Sequence, residues 1–413
     1  MKILTVNTYF SPVGGAETIA YNTYKMLKRY GHKSYFFAIK EESYFENGYR
    51  YKKFFPYANI SIKSYLKNPI KFYHNYEAAK NFELMIQEIK PDIVHFHNLY
   101  LLTNSLISVC KKYNIPMVRT LHDVAIVCPV VSLMKKKKNY CRPISCRNGN
   151  FLPCIFNNCD KKGFESSLRH AISNYLGYKG GYISKINQFI TPSKALKDLL
   201  LEAEIGIPDK KISVIKNFMD DSTSSNVKPN YTNKKYFLFC GRLSEDKGPN
   251  IILQAAAQLP KEIGFHIVGT GEMQNELANI VKSMNLKNVK LCGFLKGTKL
   301  RNEYQNCIAL IAPSKVFETF ALTVMEAFMH GKPVIASNLG GIADLVEHGK
   351  TGFLITPQNT DELIQYILRL WNNQNQAVAM GKAAYKKSIT QFTEATYYKS
   401  LISVYQSVIK DKV

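Results

Sequence analysis

The stretch Val316-Phe317-Glu318-Thr319-Phe320-Ala321-Leu322-Thr323-Val324-Met325-Glu326 sets two carboxylates eight positions apart around a run without charge. Glu318 follows the apolar strand pattern IALIAPS and precedes a helix expected over about 321–330. Glu326 then lies on the side of that helix, about a turn and a half in. The first amides of a helix lack intrahelical partners and sit at the positive end of its dipole, so those of Phe320, Ala321 and Leu322 would face phosphate oxygens. Carboxylates on either side of such a site would grip hydroxyl groups. A nucleotide sugar supplies a sugar, a diphosphate and a ribose in that order. The plainer reading makes Glu318 a residue before a helix and Glu326 a surface residue on it, so the surroundings must decide.

Other strand ends carry matching chemistry. The stretch GRLSEDKG places Arg242 and Lys247 directly after a strand, with Gly241 and Gly248 freeing the backbone. Two cations there would neutralise a diphosphate leaving group as its bond breaks. Gly269-Thr270-Gly271-Glu272, Gly293-Phe294 and Gly340-Gly341 turn out of three further strands. Near the start, Ser11-Pro12-Val13-Gly14-Gly15-Ala16-Glu17 joins a strand to a helix, so Gly14 and Gly15 would let phosphate approach bare amides. The dinucleotide pattern G-x-G-x-x-G is absent. VRTLHD ends another strand, which would aim His122 and Asp123 at a ligand.

The elements that must position these residues alternate along the chain. KILTVNTYF, SYFFAI, DIVHFH, PMVRTLHD, QFITPS and KISVIKNF read as strands, with helices between them that include 76–90 and 194–203. Residues 221–234, DSTSSNVKPNYTNK, read as a polar linker. Beyond it the alternation restarts, with helices near 249–259, 273–285, 298–306, 321–330 and 361–372. Short apolar strands separated by helices predict parallel sheets covered on both faces. The expected architecture is α/β, with a first domain over 1–220, a linker over 221–234 and a second domain over 235–394. A C-terminal helix over about 395–413 is expected to pack back on the first domain. Ligands of doubly wound sheets sit beyond the C-terminal strand ends, so two such domains facing each other would build a cleft.

The 413 residues are too many for one ordinary core, and 46% apolar content is that of a globular chain. No apolar run approaches the length of a membrane span, and the start reads as a strand and not as a signal peptide. A cytoplasmic protein is expected. Its net charge of +24 is uneven, with 33 basic and 16 acidic residues in 1–220 against 22 and 15 in the rest. That bias suits an anionic partner, either a phosphorylated substrate, nucleic acid or an acidic lipid surface.

GRLSEDKG, Glu318 and Glu326 in their spacing, Gly340-Gly341, PSKALK and the His122-Asp123 pair together resemble the family 4 retaining glycosyltransferases of GT-B fold. The resemblance covers nearly the whole chain. It implies two Rossmann-like domains, an acceptor-binding one and a donor-binding one, and no required cofactor beyond a UDP- or GDP-sugar donor. It further implies that Glu326 binds the donor ribose, Glu318 the transferred sugar, and Arg242 and Lys247 the diphosphate. Gly14 and Gly15 would lie under the donor phosphates, and His122 beside the reacting sugar. Gly271, Phe294 and the 320–322 backbone complete the expected donor site. The family's Pro and Gly after the first Glu are replaced here by Thr319 and Ala321. Its Asn-Gly-Val-Asp is Asn217-Phe218-Met219-Asp220.

The implied reaction is retaining transfer of a sugar to a bacterial polysaccharide or lipid-linked oligosaccharide, at the anionic inner face of the plasma membrane. A nucleotide-sugar epimerase of the same fold, or a non-enzymatic polyanion- or membrane-binding protein, is the alternative. Acidic residues at a phosphate site argue against polyanions, and nucleic acid is not an expected partner.

Cysteines form a separate feature. Cys128, Cys141, Cys146, Cys154 and Cys159 fall within 32 residues. The last four make two Cys-x4-Cys pairs; a loop of free thiols is expected, with structural zinc at Cys141, Cys146, Cys154 and Cys159 as the alternative. Lys135–Lys138 in the same insertion is the expected contact with anionic lipid.

Overall fold

The computed structural model describes residues 1–12, 14–40, 49–57, 74–135, 140–141, 144–220, 229–231 and 236–411. The expected linker lies outside them apart from 229–231, as do Val13 and three of the four lysines of 135–138. The chain forms two compact units, one of Met1–Phe218 with Tyr397–Val413 and one of Met219–Thr396.

In the first unit the strands are β1 (Lys2–Val6), β2 (Lys33–Phe37), β3 (Ile93–Phe96), β4 (Met117–Thr120), β5 (Gln188–Thr191) and β6 (Ile212–Val214). They pair in the order β2-β1-β3-β4-β5-β6, all parallel. Continuous apolar runs make these strands because both faces are covered. One cover is the helix Glu394–Lys410, which lays Tyr397, Leu401, Tyr405 and Val408 into a cluster with Ile3, Met26, Ile93 and Ile190. The sheet's order reverses at β1, so the loops after β1 and β3 open a crevice. Those loops are tied together: Asn98 N–H donates to Asn7 Oδ1 at 3.0 Å, and Thr8 Oγ1 donates to the Asn98 carbonyl at 3.0 Å.

In the second unit β7 (Tyr236–Cys240), β8 (Gly264–Val268), β9 (Val289–Gly293), β10 (Leu310–Ala312), β11 (Val334–Ser337) and β12 (Gly352–Ile355) pair in the order β12-β11-β10-β7-β8-β9. All neighbours are again parallel. One core lies on each face. Ile252, Ile267, Ile335 and Leu363 belong to one, and Leu238, Val324, Phe328 and Ala336 to the other. The order reverses between β7 and β10. Loops carrying Arg242 and Glu318 therefore leave the sheet on either side of the switch point. Among the described residues, no helix is long and apolar enough to cross a membrane.

Candidate active site

Glu318 lies between β10 and the helix Leu322–Met329. Its Oε1 accepts a hydrogen bond from Ser314 Oγ at 2.7 Å and also receives the Lys247 ammonium. Lys247 ends a short 3-10 turn, Glu245–Lys247, that follows β7. The two sides of the switch point are thus joined through an ion pair of low exposure, 30% for the lysine side chain and 14% for the glutamate. Arg242 leaves β7 beside it and pairs with Asp246 at 3.1 Å while staying 66% exposed. The backbone of Glu318 is held too, because the Gly341 amide donates to its carbonyl at 2.6 Å. Three strand-end motifs that are far apart in sequence, those of Lys247, Glu318 and Gly340-Gly341, therefore meet at one place.

Glu326 is half-buried. The helix starts at Leu322 with Ala321 as its N-cap, so Glu326 stands about one turn in, nearer the start than its spacing suggested. Its Oε2 accepts the hydroxyl of Tyr304 at 2.7 Å. Tyr304 is 1% exposed and lies on the helix Gly297–Asn306. Burial raises the Glu326 carboxyl above its ordinary range, and the tyrosine's hydrogen bond works against that rise. The same burial, with Glu326 as neighbour, pushes the Cys240 thiol up to about 12. His330 stacks on Tyr304 at 5.2 Å and joins its Nδ1 to the Glu326 carbonyl at 2.8 Å. Phe320 packs edge-on against Phe392 inside the core, so only its backbone is available to a ligand, and no side chain caps the helix start. Gly271 turns beneath the Leu243 carbonyl, and Phe294 is 69% exposed after β9. Sequence reasoning missed Ser314, Asp246 and Tyr304, since nothing in their spacing marks them.

In the first unit Gly14 caps the helix Gly15–Arg29, and the Thr18 amide and hydroxyl both bond its carbonyl, at 2.9 and 2.7 Å. Glu17 folds back over Gly14, at 2.6 Å from where a Cβ would stand. His122 follows β4 and is joined to His97, with Nε2 2.8 Å from His97 Nδ1 and the rings stacked at 5.1 Å. His95 lies 4.2 Å from His97, ring to ring. Its two nitrogens bond Tyr405 Oη at 2.6 Å and Thr120 Oγ1 at 2.7 Å. The pattern DIVHFH held a signal for this cluster: side chains two apart in a strand share a face, so His95 and His97 had to lie together.

Burial pulls His95 down to about 3 and His122 to about 4, and it holds His97 well below its ordinary value. All three imidazoles are neutral at pH 7. An unfolded chain would take up these protons near pH 6.5 while the fold resists them, so stability is complete above about pH 6.5 and falls as the pH drops toward 4. His95, fully buried, contributes on the order of a few kcal/mol to that loss. Urea midpoints should decline steadily over this window and less so in His95→Gln, whereas a flat profile would contradict the assignment.

A further cluster lies apart from these groups. His266 Nδ1 stands 2.7 Å from Glu303 Oε2, and with Cys292 it forms the one set among the described residues that brings three metal-ligating atoms within 4.8 Å of one another. The His–Glu hydrogen bond and a Tyr236 ring stacked on His266 at 3.8 Å account for this arrangement without an ion.

The family model for Glycosyltransferase Family 4 matches residues 13–223, and that for Glycosyl transferases group 1 matches residues 220–387. A protein of the cps region of Klebsiella pneumoniae is 27% identical over 362 residues, which is 84% of this chain and 87% of that one. A glycosyltransferase of Methanocaldococcus jannaschii is 25% identical over 92% of both chains. Among solved structures, Anabaena HepE in complex with UDP superposes with a TM-score of 0.70 at 20% identity, covering 98% of this chain and 100% of that one. A sucrose-phosphate synthase of Thermosynechococcus elongatus reaches 0.74 at 17% identity over 99% of both. The two switch-point crevices, the cation–carboxylate pair at one of them and these matches lead to one statement: the chain is a glycosyltransferase of GT-B fold and belongs to Glycosyltransferase Family 4.

Proposed function

We propose that this chain transfers a hexosyl group, with retention, from a UDP- or GDP-sugar to a growing surface polysaccharide or lipid-linked oligosaccharide. The observation that carries this reading is the meeting of Arg242, Lys247, Glu318 and Gly341 at the switch point of the second unit, with Glu326 held by Tyr304 in the adjoining helix. The second domain, over 235–394, is the donor-binding one, and the first, over 1–220, the acceptor-binding one. Arg242 and Lys247 neutralise the diphosphate, the amides of Phe320, Ala321 and Leu322 bind its oxygens, and Gly271 and Phe294 border the nucleoside. Glu326 holds the ribose and Glu318 the transferred sugar. Within the first unit Gly14 and Gly15 serve the donor phosphates, and His122, as a neutral imidazole, bonds the sugar's hydroxyls.

In the reaction the acceptor oxygen bonds the anomeric carbon on the face that the diphosphate leaves. The carbon–oxygen bond to phosphate breaks, and the acceptor proton passes to a leaving phosphate oxygen. Charge grows on that phosphate, where the two cations stabilise it most. The UDP and UDP-glucose complexes of HepE support a nucleotide-sugar donor. The cps-region relative and the likeness to a lipopolysaccharide outer core galactosyltransferase support a surface-glycan acceptor.

Calorimetry with the bare nucleoside diphosphate tests the donor site. Glu326→Gln and Arg242→Ala should each weaken binding roughly ten- to a hundred-fold, the scale of one hydrogen bond to a charged group. Unchanged affinity in both would reject the site.

Attachment to an anionic membrane face belongs to the same proposal. Helix Phe164–Lys179 exposes Phe164, Ile172, Tyr175 and Leu176, with Lys161, Lys162, Arg169 and Lys179 exposed alongside. Binding to vesicles of phosphatidylglycerol should fall steeply with salt. Salt-independent binding, or none at low salt, would rule this part out.

A further inference from the structure

Among the described residues between Thr120 and Phe164, the first unit has one short helix, Leu152–Phe156, and no strand. A loop segment of this length buries little apolar surface of its own and calls for another means of holding its shape. Four of its five cysteines are nevertheless buried: Cys128 at 8% exposure, Cys141 at 9%, Cys146 at 8% and Cys154 at 2%. All five, including Cys159, line one cavity of about 20 Å³, room for a single water or ion. None is in a disulfide.

The sulfurs differ in their surroundings. Cys128 Sγ accepts the Leu133 amide at 3.4 Å, though burial, the larger effect, still pushes its thiol up. The Cys141 thiol donates to Ser145 Oγ at 3.4 Å. With the Cys141 thiol engaged by Ser145, the sulfurs left to converge on the cavity are those of Cys128, Cys146, Cys154 and Cys159, so Cys128 takes the place of Cys141 in the two Cys-x4-Cys pairs.

We propose that Cys128, Cys146, Cys154 and Cys159 bind one thiophilic divalent cation, zinc by its preference for four thiolates, which fastens this loop segment. Zinc–sulfur bonds near 2.3 Å would set the sulfurs roughly 3.8 Å apart. No three of the described cysteines meet even a 4.8 Å limit, so the ion must draw the arms inward. Closure of that kind makes binding energy into folding energy, and the loaded chain should be the more stable one.

The test uses the full chain, purified under reductant without chelator. Elemental analysis should find close to one zinc per chain, and cobalt in its place should show thiolate-to-metal charge-transfer and tetrahedral d–d bands. Cys154→Ser and Cys159→Ser should lose the metal, while Cys141→Ser and Cys292→Ser keep it. Where a variant fails to fold, the wild-type chain still decides: thiol modification should release zinc in step with four thiols, and a chelator should lower the melting temperature. Absence of zinc with all nine thiols free would overturn the proposal. So would thiols missing in pairs without metal, which means disulfides, or metal lost in Cys292→Ser and not in Cys154→Ser.

Discussion

Glu318→Gln is expected to lower turnover of the full donor by roughly ten- to a thousand-fold, the scale of one lost electrostatic contact at a reacting centre. Binding of the bare nucleoside diphosphate should be kept or strengthened. The second half of that expectation comes from the ion pair. Lys247 spends its charge on Glu318 Oε1, which Ser314 also bonds. A diphosphate must compete with that carboxylate for the ammonium, and the amide in Glu318→Gln removes the competitor. The sugar, in contrast, is present only in the donor and gains positive charge as its bond to phosphate breaks. Losing a contact that strengthens at the transition state lowers kcat, whereas losing one made equally to substrate and product raises KM. Glu326→Gln should fall in the second class, since the ribose is common to donor and product. Calorimetry with the diphosphate and steady-state rates with the donor separate the two. Identical behaviour of both variants would remove the division of labour, and a loss of diphosphate affinity in Glu318→Gln would show the carboxylate serving the phosphate site.

Both sheets were legible because each strand is a short apolar run bounded by a helix or a glycine turn. The pattern KILTV, SYFF and DIVHF maps directly onto β1, β2 and β3. The helices Phe164–Lys179 and Gln374–Gln391 were not legible. The first exposes Phe164, Ile172, Tyr175 and Leu176 and buries Ser166 and Ser167, so its apolar residues mark no inner face. The second packs on small residues, Ala377, Gly381 and Ala384, which carry little hydrophobic signal. At the site, positions set by backbone turns could be read, because glycines and charges cluster at strand ends. Partners supplied by neighbouring elements could not. Tyr304 reaches Glu326 from another helix, and Cys128 enters the cysteine cavity across a separation no spacing rule covers. The two carboxylates show the same limit: their spacing located both, but only packing pairs one with a cation and the other with a phenol.

Gly340→Ala should reduce turnover about a hundred-fold in a chain that still folds. Gly340 has φ +62° and ψ −145°, a conformation that side chains rarely adopt. A Cβ there would stand 2.5 Å from the Glu318 carbonyl oxygen and 3.1 Å from both the Glu318 nitrogen and Phe317 Cδ2. Backbone strain alone costs on the order of 1–3 kcal/mol and lowers the melting temperature. The contact does more, because it pushes the loop that carries Glu318 and disturbs the Gly341 amide's hold on the Glu318 carbonyl. A displacement near 1 Å at a positioned group is worth about two orders of magnitude in rate. Strain and displacement can be told apart with Gly349→Ala, where φ is +77° and nothing lies within 4 Å of the added Cβ. Gly349→Ala should lose stability and keep its turnover, while Gly340→Ala should lose both. Equal turnover in the two variants would mean that the Gly340-Gly341 turn does not position Glu318, and that Lys247 and Ser314 hold the carboxylate without it.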